Sequence, residues 1–388
     1  QTHSMSEPGN SSEKSCGSRG LKGDASGKLW EPAMKPLEIA VMGAGLIGRR
    51  HVERILSEPG TVLSAVIDPS AAGRDFAETV GARSYRNFLD IRVEDRPDGV
   101  IVATPNQLHV ENGMEIVAAG IPVLIEKPIA DDVDAAAALV AAGEKAGIPL
   151  LVGHHRRHNP MTQAVKQIVD GGRLGRIIAV HGTFWVAKPD NYFDIPWRRE
   201  AGAGPVFVNL IHDVDLFRYL FGEVEAVHAM ESHAVRNHAV EDTAVVTLRF
   251  ESGVLATLNG SDAVAAPWSW ETTTGENPSF PRYDQFCYQI GGTKGSLGIP
   301  DLTLWTSPSR PDWLEQLAEQ RVPYQAADPL CVQLRHFCDV IRGDATPLVS
   351  GREGLATLRV VEAIKRSARW GQMIHLADAS ATSDPQKV

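Results

Sequence analysis

Residues 37–153 show two hydrophobic patterns that alternate along the chain. Short apolar runs rich in Val and Ile are each followed by a longer stretch in which apolar residues recur every three or four positions. The first pattern predicts buried strands and the second predicts amphipathic helices. The predicted strands are residues 37–42, 61–67, 98–103, 122–126 and 149–153, and the predicted helices are 46–57, 71–80, 108–119 and 133–146. This alternation predicts an α/β domain with a doubly wound parallel sheet.

The pattern changes after residue 158, where strands with one apolar face become frequent. We predict helices at 160–169, 205–221, 330–341 and 352–370, and strands at 176–185, 224–232, 243–250, 254–260, 284–290 and 297–305. Strands joined by tight turns form a mostly antiparallel sheet, so this part is predicted to be an α+β domain. The expected organisation is a tail at 1–36, a first domain at 37–155, a second domain at 156–376 whose last helices pack back on the first, and a tail at 377–388. Residues 268–283 form a long loop rich in aromatic residues, and such loops are often functional.

Composition indicates which kinds of binding partner and which cellular compartment to expect for this protein. A net charge of −10 repels polyanions, so we expect no nucleic acid partner and no attraction to an anionic membrane. No apolar stretch approaches the roughly 18 residues of a membrane span. The four cysteines contain no Cys-x-x-Cys pair, and residues 1–33 lack the apolar core of a secretion signal, so we expect a cytoplasmic protein. We also expect no metal site, because the histidines at 154, 155 and 158 have no carboxylate or thiol at ligand spacing.

A glycine-rich turn between the first predicted strand and helix indicates a dinucleotide site. Gly43, Gly45 and Gly48, with Leu46 and Ile47 between them, form the G-x-G-x-x-G pattern of a Rossmann domain. The N-terminus of the helix then faces the pyrophosphate with free N–H groups. Asp68 ends the second strand and is placed to accept hydrogen bonds from both ribose hydroxyls. This carboxylate favours NAD over NADP, although Arg74 lies near enough in sequence to contact a 2′-phosphate.

Three further polar segments fall at predicted carboxyl ends of strands, where open α/β sheets bind ligands. They are Thr104-Pro105-Asn106 with His109, Glu126-Lys127-Pro128, and the run 153–158, which contains Arg156. Together with the glycine motif, the set resembles the Gfo/Idh/MocA family of oxidoreductases over about residues 37–376. The helix that carries His212 and Asp215 also resembles that family's substrate helix.

The resemblance implies a role for each matching residue. Thr104, Pro105, Asn106 and His109 would lie along the nicotinamide half of the cofactor, and Glu126 would belong to the cofactor site. Lys127 would reach both the cofactor and the reacting oxygen, and Pro128 is often a cis proline in the family. His212 would be the general base, and Arg156 and Asp215 would contact substrate. Two further substrate contacts are expected from residue chemistry rather than from the resemblance: Asn209 can hydrogen-bond a substrate hydroxyl, and Tyr283 can stack on a flat ring.

The chemistry is sensible on its own terms, with one departure from the family pattern. Alcohol oxidation needs a base for the hydroxyl proton, and a lysine beside the same oxygen stabilises developing negative charge. Many sugar- and inositol-oxidising members carry an Asp four residues before the histidine, but this chain has Val208 there. Asp215, on the same helix face as His212, is a candidate replacement partner.

The leading interpretation is an NAD-dependent oxidoreductase that interconverts a secondary alcohol and a ketone on a sugar, inositol or related polyol. The first alternative is a dehydrogenase of a cyclic dihydrodiol or a carbocyclic hydroxy-acid, with Arg156 and Arg157 clamping a carboxylate. The second is a non-catalytic NAD-binding regulatory protein. We expect a homodimer or homotetramer, because the second sheet has predicted helices for only one of its faces.

Overall fold

The structure is a computed structural model that describes residues 35–200, 202–309 and 311–379. The predicted tails at 1–34 and 380–388 lie outside the described residues, and a one-turn helix stands at Leu376–Ala379, where the second tail was expected to begin. The strands are β1 (Leu37–Met42), β2 (Thr61–Ile67), β3 (Arg83–Tyr85), β4 (Gly99–Val102), β5 (Val123–Ile125), β6 (Leu150–Val152), β7 (Ile177–Trp185), β8 (Val224–Ser232), β9 (Thr243–Phe250), β10 (Leu255–Ser261), β11 (Tyr288–Gly292), β12 (Gly295–Ile299), β13 (Thr303–Thr306), β14 (Ala318–Arg321) and β15 (Ile374–His375). The helices are α1 (Leu46–Ser57), α2 (Ala71–Thr79), α3 (His109–Ala118), α4 (Val133–Ala146), α5 (Pro160–Asp170), α6 (Ile211–Phe221), α7 (Trp270–Thr273), α8 (Pro329–Arg342), α9 (Gly351–Trp370) and α10 (Leu376–Ala379).

The first six strands form one parallel sheet in the order β3-β2-β1-β4-β5-β6. This is the Rossmann order, and it confirms the predicted doubly wound sheet. The central strands are buried on both faces, which explains their continuous apolar sequences. Strand β3 was not predicted, because it is a three-residue edge strand whose side chains are largely exposed.

The remaining nine strands form a second, mostly antiparallel sheet in the order β14-β13-β12-β11-β7-β10-β9-β8-β15. Strands β7 and β10 are its one parallel pair among the described residues. The predicted single strand at 297–305 is wrong. The chain reverses after Ile299 and returns as β13, and Leu302 in the turn has a positive φ of 54°. The predicted start at residue 284 is also early, since β11 begins at Tyr288.

Helices α8 and α9 come late in the sequence but complete the core of the first domain. Phe337 of α8 packs with Ile39 and other residues of the first sheet, and Leu358 of α9 packs with Val152. Further along α9, Val361 joins the core beneath the second sheet. One helix is therefore shared by the cores of both domains. None of the helices in the described ranges is long and apolar enough to cross a membrane.

Candidate active site

The glycine-rich turn fits a pyrophosphate at the N-terminus of α1. Gly43 has φ +94°, and a Cβ on Gly48 would lie 1.9 Å from the carbonyl oxygen of Gly43, so both glycines are required by the fold. A Cβ on Gly45 would meet no atom of the described residues within 4 Å, so packing does not explain that glycine. The side chain of Leu46 is 86% exposed, and Ile47 follows it in the first turn of α1. Open space beside free helix N–H groups is what a phosphate requires.

Asp68 lies at the carboxyl end of β2, beside this turn. The N–H of Ala44 donates to Asp68 Oδ2 at 2.8 Å, and Ser70 donates its N–H and its hydroxyl to Oδ1. Burial alone would raise the pKa of Asp68, but these hydrogen bonds outweigh it and lower the pKa. The carboxylate is therefore ionised beside the turn, where the ribose is expected. Arg74 approaches the carbonyl of Pro69 at 3.5 Å rather than the turn.

His109 connects two of the predicted cofactor segments. Its ring nitrogens lie 2.7 Å from the carbonyl oxygen of Pro128 and 2.9 Å from that of Thr104, and the residue is fully buried. It therefore holds the Thr104 and Pro128 backbones together, and its direct contact with cofactor stays a prediction. Pro105 caps the short 3₁₀ turn that precedes α3, and Asn106 is its first residue.

The Glu126-Lys127 pair follows β5. Glu126 is buried, and its Oε1 lies 2.7 Å from Nε2 of His51. Its Oε2 accepts a hydrogen bond from the backbone N–H of Lys127. Burial would raise its pKa, but His51 outweighs this effect and holds the pKa at about 2. The Lys127–Pro128 peptide bond is cis, in agreement with the expectation for the motif.

The side chain of Lys127 reaches across to the second domain. Its Nζ donates to the carbonyl oxygen of Val208 at 3.0 Å. Burial, with a further contribution from Arg156 and Lys188, lowers the pKa of Lys127 to about 8, although Glu126 opposes the shift. An amine with this pKa exists in both protonation states near neutral pH, which suits a group that stabilises or protonates a reacting oxygen.

The predicted helix at 205–221 begins with a π-helical turn, Val206–Leu210, and continues as α6. Such turns insert one extra residue and occur frequently at functional sites. His212 follows this turn and is 8% exposed, and its Nδ1 has no hydrogen-bond partner among the described residues. Burial and the neighbouring Lys127 and Arg156 lower the pKa of His212 well below its usual value. In the structure His212 is thus a neutral imidazole without a carboxylate partner.

Asp215, the expected replacement partner, is occupied elsewhere. It accepts two hydrogen bonds from Arg157, at 2.7 and 2.8 Å, and one from Thr357 at 3.0 Å. The imidazole nearest to its carboxylate is that of His154, at 3.9 Å. The hypothesis that Asp215 supports His212 is therefore wrong, because Arg157 already neutralises this carboxylate. Its role as a substrate ligand stays a prediction, and its 1% exposure does not favour it.

Arg156 is buried within a polar cluster. Its guanidinium donates to Glu271 at 2.7 Å and to Asp213 and Tyr288 at 3.3 Å, and it lies 4.8 Å from the ring centre of Trp270. Arg157, in turn, pairs with Asp215 and with Glu353 at 2.9 Å. Neither arginine is therefore free to clamp a substrate carboxylate. The proposed double-arginine clamp is wrong for this reason.

Asn209 lies in the π turn and accepts a hydrogen bond from Lys188 Nζ at 2.9 Å. Lys188 also lies 3.5 Å from Asp262, and burial lowers its pKa. Tyr283, by contrast, is 46% exposed, and the contact that fixes it is its backbone N–H, which donates to the carbonyl of Thr272. The structure thus brings Asn209 to the cluster around Lys127, whereas a substrate contact by Tyr283 stays a prediction.

Two of the three histidines of residues 154–158, His154 and His155, pack against His212, and the third does not. His155 Nε2 lies 3.0 Å from Glu276 Oε1, and the His155 ring packs edge-on against His212 with ring centres 5.3 Å apart. His158 packs instead against His336. No group of three or more potential metal ligands is found in residues 35–200, 202–309 and 311–379.

Sequence reasoning missed four polar residues of this site, which are Lys188, Asp213, Glu271 and Glu276. The last two belong to the long loop at 268–283, where the aromatic residues drew attention and the carboxylates did not. Their partners are Arg156 and His155, more than a hundred positions earlier in the chain. The one available signal was the presence of two acidic residues in a loop already suspected of function.

Comparisons with known proteins agree with the fold. A family model described as "Oxidoreductase family, NAD-binding Rossmann fold" matches residues 37–154, and one described as "Oxidoreductase family, C-terminal alpha/beta domain" matches residues 166–376. The 1,5-anhydro-D-fructose reductase of Ensifer adhaerens is 28% identical over 86% of this chain and 96% of its own length. The D-apiose dehydrogenase of Paraburkholderia graminis is 29% identical over 90% of this chain and 92% of its own. Among solved structures, the WlbA dehydrogenase of Bordetella pertussis in complex with NADH and UDP-GlcNAcA is 27% identical, with a TM-score of 0.70 over 88% of this chain and 99% of its own.

Proposed function

Because the chain belongs to the Gfo/Idh/MocA family of oxidoreductases and carries its NAD-binding Rossmann domain, we propose that it interconverts a secondary alcohol and a ketone on a sugar, inositol or related polyol. One observation carries the proposal. Lys127 follows a strand of the same parallel sheet as the glycine-rich turn, donates to Val208 of the second domain, and is close enough to His212 to shift its pKa. The carboxyl edge of such a sheet is where these folds bind cofactor and substrate.

The cofactor site fits NAD. Gly43–Gly48 and the N-terminus of α1 would hold the pyrophosphate, Asp68 would accept the ribose hydroxyls, and residues 104–106 would line the nicotinamide half. When bound, NAD supplies the hydride acceptor of alcohol oxidation. The ionised Asp68 would repel the 2′-phosphate of NADP.

Lys127 is the residue proposed to stabilise the reacting oxygen. Its ammonium group, held by the carbonyl of Val208, would donate to the substrate oxygen and stabilise the negative charge that develops there. Its pKa of about 8 lets it give or recover a proton near neutral pH. We propose that His212, which lies within electrostatic range of Lys127, contacts the same oxygen.

The groups around this position suit an uncharged substrate with many hydroxyls. Lys188 is bonded to Asn209, and Arg156 to Glu271, so the cluster mixes donors and acceptors. The dihydrodiol or hydroxy-acid alternative is not favoured, since Arg156 is already paired with carboxylates. The regulatory alternative is not favoured either, because a strongly lowered pKa at a half-buried lysine is typical of catalytic sites.

The test is a screen for NAD reduction over sugars, inositols, dihydrodiols and hydroxy-acids, followed by Lys127→Ala with the substrate found. We expect turnover to fall at least a hundredfold, the scale of losing an oxyanion donor, with NAD affinity by calorimetry little changed. Lys145→Ala is the matched control, because Lys145 lies on the exposed last turn of α4. An unchanged turnover in Lys127→Ala would show that the active site has been placed wrongly.

We also propose a homo-oligomer that uses the open face of the nine-stranded sheet. Helices α6 and α9 cover the other face, whereas this face forms a shallow groove of about 740 Å³ lined mainly by apolar atoms. Val245, Leu255 and Met230 are 46%, 56% and 71% exposed. A contiguous apolar face of this kind is typical of a protein interface, and a second copy would supply a matching one.

A further inference from the structure

Next to His212 lie a histidine and a carboxylate, His155 and Glu276, to which the proposed function gives no role. His155 follows β6 in a 3₁₀ turn, His155–His158, at the same edge of the sheet as Lys127. Its Nε2 faces Glu276 Oε1 at 3.0 Å, and its side chain is 18% exposed. The remaining ring nitrogen, Nδ1, is neither buried nor bonded to any residue of the described ranges.

Glu276 is built to hold this imidazole. Its second oxygen accepts from Asn159 at 2.8 Å and from the indole N–H of Trp270 at 3.1 Å. Burial would raise the pKa of Glu276, but His155, Arg156 and Asn159 outweigh it and hold the pKa at about 2. Glu276 is therefore an ionised carboxylate that fixes the ring and favours a proton on Nε2, which leaves Nδ1 with a lone pair.

His212 has the opposite surroundings. A base that accepts a proton through Nε2 must carry its other proton on Nδ1, and Nδ1 of His212 is buried without an acceptor in the described structure. Lys127 and Arg156 also oppose a positive charge on this ring. The position that would supply the usual carboxylate is Val208, and Asp215 is bound to Arg157.

Resting on the proposed function, we propose that His155, oriented by Glu276, accepts the hydroxyl proton during alcohol oxidation, while His212 contacts the substrate oxygen. The O–H bond of the alcohol breaks as an N–H bond forms at Nδ1 of His155. NAD, which the glycine-rich turn would hold, would accept the hydride that leaves the carbon as the C=O bond forms. Glu276 is a positioning residue that stabilises the resulting imidazolium, as the carboxylate does in other histidine–carboxylate pairs.

The charges that face His155 come from several elements. Glu276 lies on the loop after α7, His212 on α6 and Glu126 at the end of β5, and His158 and Arg156 belong to its own turn. Two of these groups, Glu276 and Glu126, are carboxylates. Among the groups that shift the pKa of His212 most, by contrast, there are only cations and imidazoles.

The first test uses turnover with the substrate found in the screen. In His155→Gln, the amide still donates to Glu276 but cannot accept a proton, so kcat for oxidation should fall at least a hundredfold with KM little changed. The decline of kcat toward acid pH should disappear in this variant and persist in His212→Asn. His336→Gln is the matched control, since His336 packs against His158 of the same 3₁₀ turn rather than against His155, and its kcat should stay at the wild-type value. Full turnover in His155→Gln, or loss of the acid limb only in His212→Asn, would overturn the proposal.

The second test needs neither substrate nor cofactor. Nitrogen-15 NMR of the histidine rings reports which ring nitrogen carries the proton, and the His155→Gln variant assigns the signals of His155. The neutral ring of His155 should carry its proton on Nε2, because Glu276 Oε1 accepts there at 3.0 Å, and Glu276→Leu, which removes that acceptor, should weaken the preference. A proton found mainly on Nδ1 in the wild type would refute the pair even if the enzyme proves to be a polyol dehydrogenase. A proton held on Nε2 in a protein that oxidises no substrate would support the pair and count against the proposed function.

Discussion

Replacing Lys127 by Met should stabilise the folded protein at neutral pH while removing its activity. The fall in the pKa of Lys127 from its ordinary 10.5 to about 8 means that the folded protein holds the ammonium form at a cost. A shift of one pKa unit corresponds to about 1.4 kcal/mol, so holding the ammonium form lowers the free energy of unfolding by about 3 kcal/mol at pH 7. The variant loses the hydrogen bond to the carbonyl of Val208, which stabilises the fold by about 1 kcal/mol. The free energy of unfolding of Lys127→Met should therefore exceed that of the wild type by about 2 kcal/mol.

The pH dependence follows from the direction of the shift. Between pH 8 and 10.5 the unfolded chain keeps the proton of Lys127 and the folded protein has released it, so the stability of the wild type rises with pH across this window. Below pH 8 the full cost is present, and above pH 10.5 it is absent. The advantage of Lys127→Met should therefore be largest at pH 7 and should vanish near pH 10.5.

Urea unfolding followed by tryptophan fluorescence at pH 7 and pH 10.5 measures this difference. Lys145→Met, a change at an exposed position of α4, is the control for a general effect of losing one positive charge. If Lys127→Met is no more stable than the wild type at pH 7, Lys127 is not held in its charged form at a cost. If its gain is equal at both pH values, the gain comes from packing and the electrostatic explanation fails.

Three further outcomes are expected. Calorimetry should show NAD binding at least tenfold more tightly than NADP, and Asp68→Ser should reduce that ratio; equal affinities in the wild type would sink the assignment of Asp68. Gly45→Val should weaken NAD binding without lowering the melting temperature, because its Cβ meets only open space. Gly48→Ala should destabilise the fold, because its Cβ would contact Gly43. Normal NAD binding in Gly45→Val would contradict the phosphate site. Light scattering should show a dimer or tetramer that Leu255→Glu dissociates, and a 42 kDa wild-type monomer at micromolar concentration would count against the open sheet as an interface.

The sequence predicted the two sheet types well, because buried parallel strands and half-exposed antiparallel strands differ in periodicity. The prediction of individual strands failed where the hydrophobic periodicity does not distinguish a strand from a loop or a turn. A polar, exposed strand such as β14 looks like a loop, and a run such as 297–305 looks continuous although the chain turns back within it.

Within the site, motifs located Lys127 and His212 but not the partners of either. The acceptor for Lys127 is a backbone carbonyl, that of Val208, which any residue at that position supplies. Asp215 stands at the right helical spacing from His212, yet Arg157 binds it, and no local pattern reveals that competition. Glu276 reaches His155 from a loop without regular structure, so only the folded chain brings the two together.

The return of α8 and α9 to the first sheet affects how the chain folds as it is synthesised. A ribosome releases the Rossmann strands first, but the apolar surfaces that Phe337 and Leu358 cover stay exposed until the last tenth or so of the chain has emerged. Burying one such side chain contributes about 1.5–3 kcal/mol, so a fragment ending near residue 155 lacks several of these contributions. The domain that is made first is therefore completed last, and truncation for domain-by-domain study should retain both C-terminal helices or lose the fold.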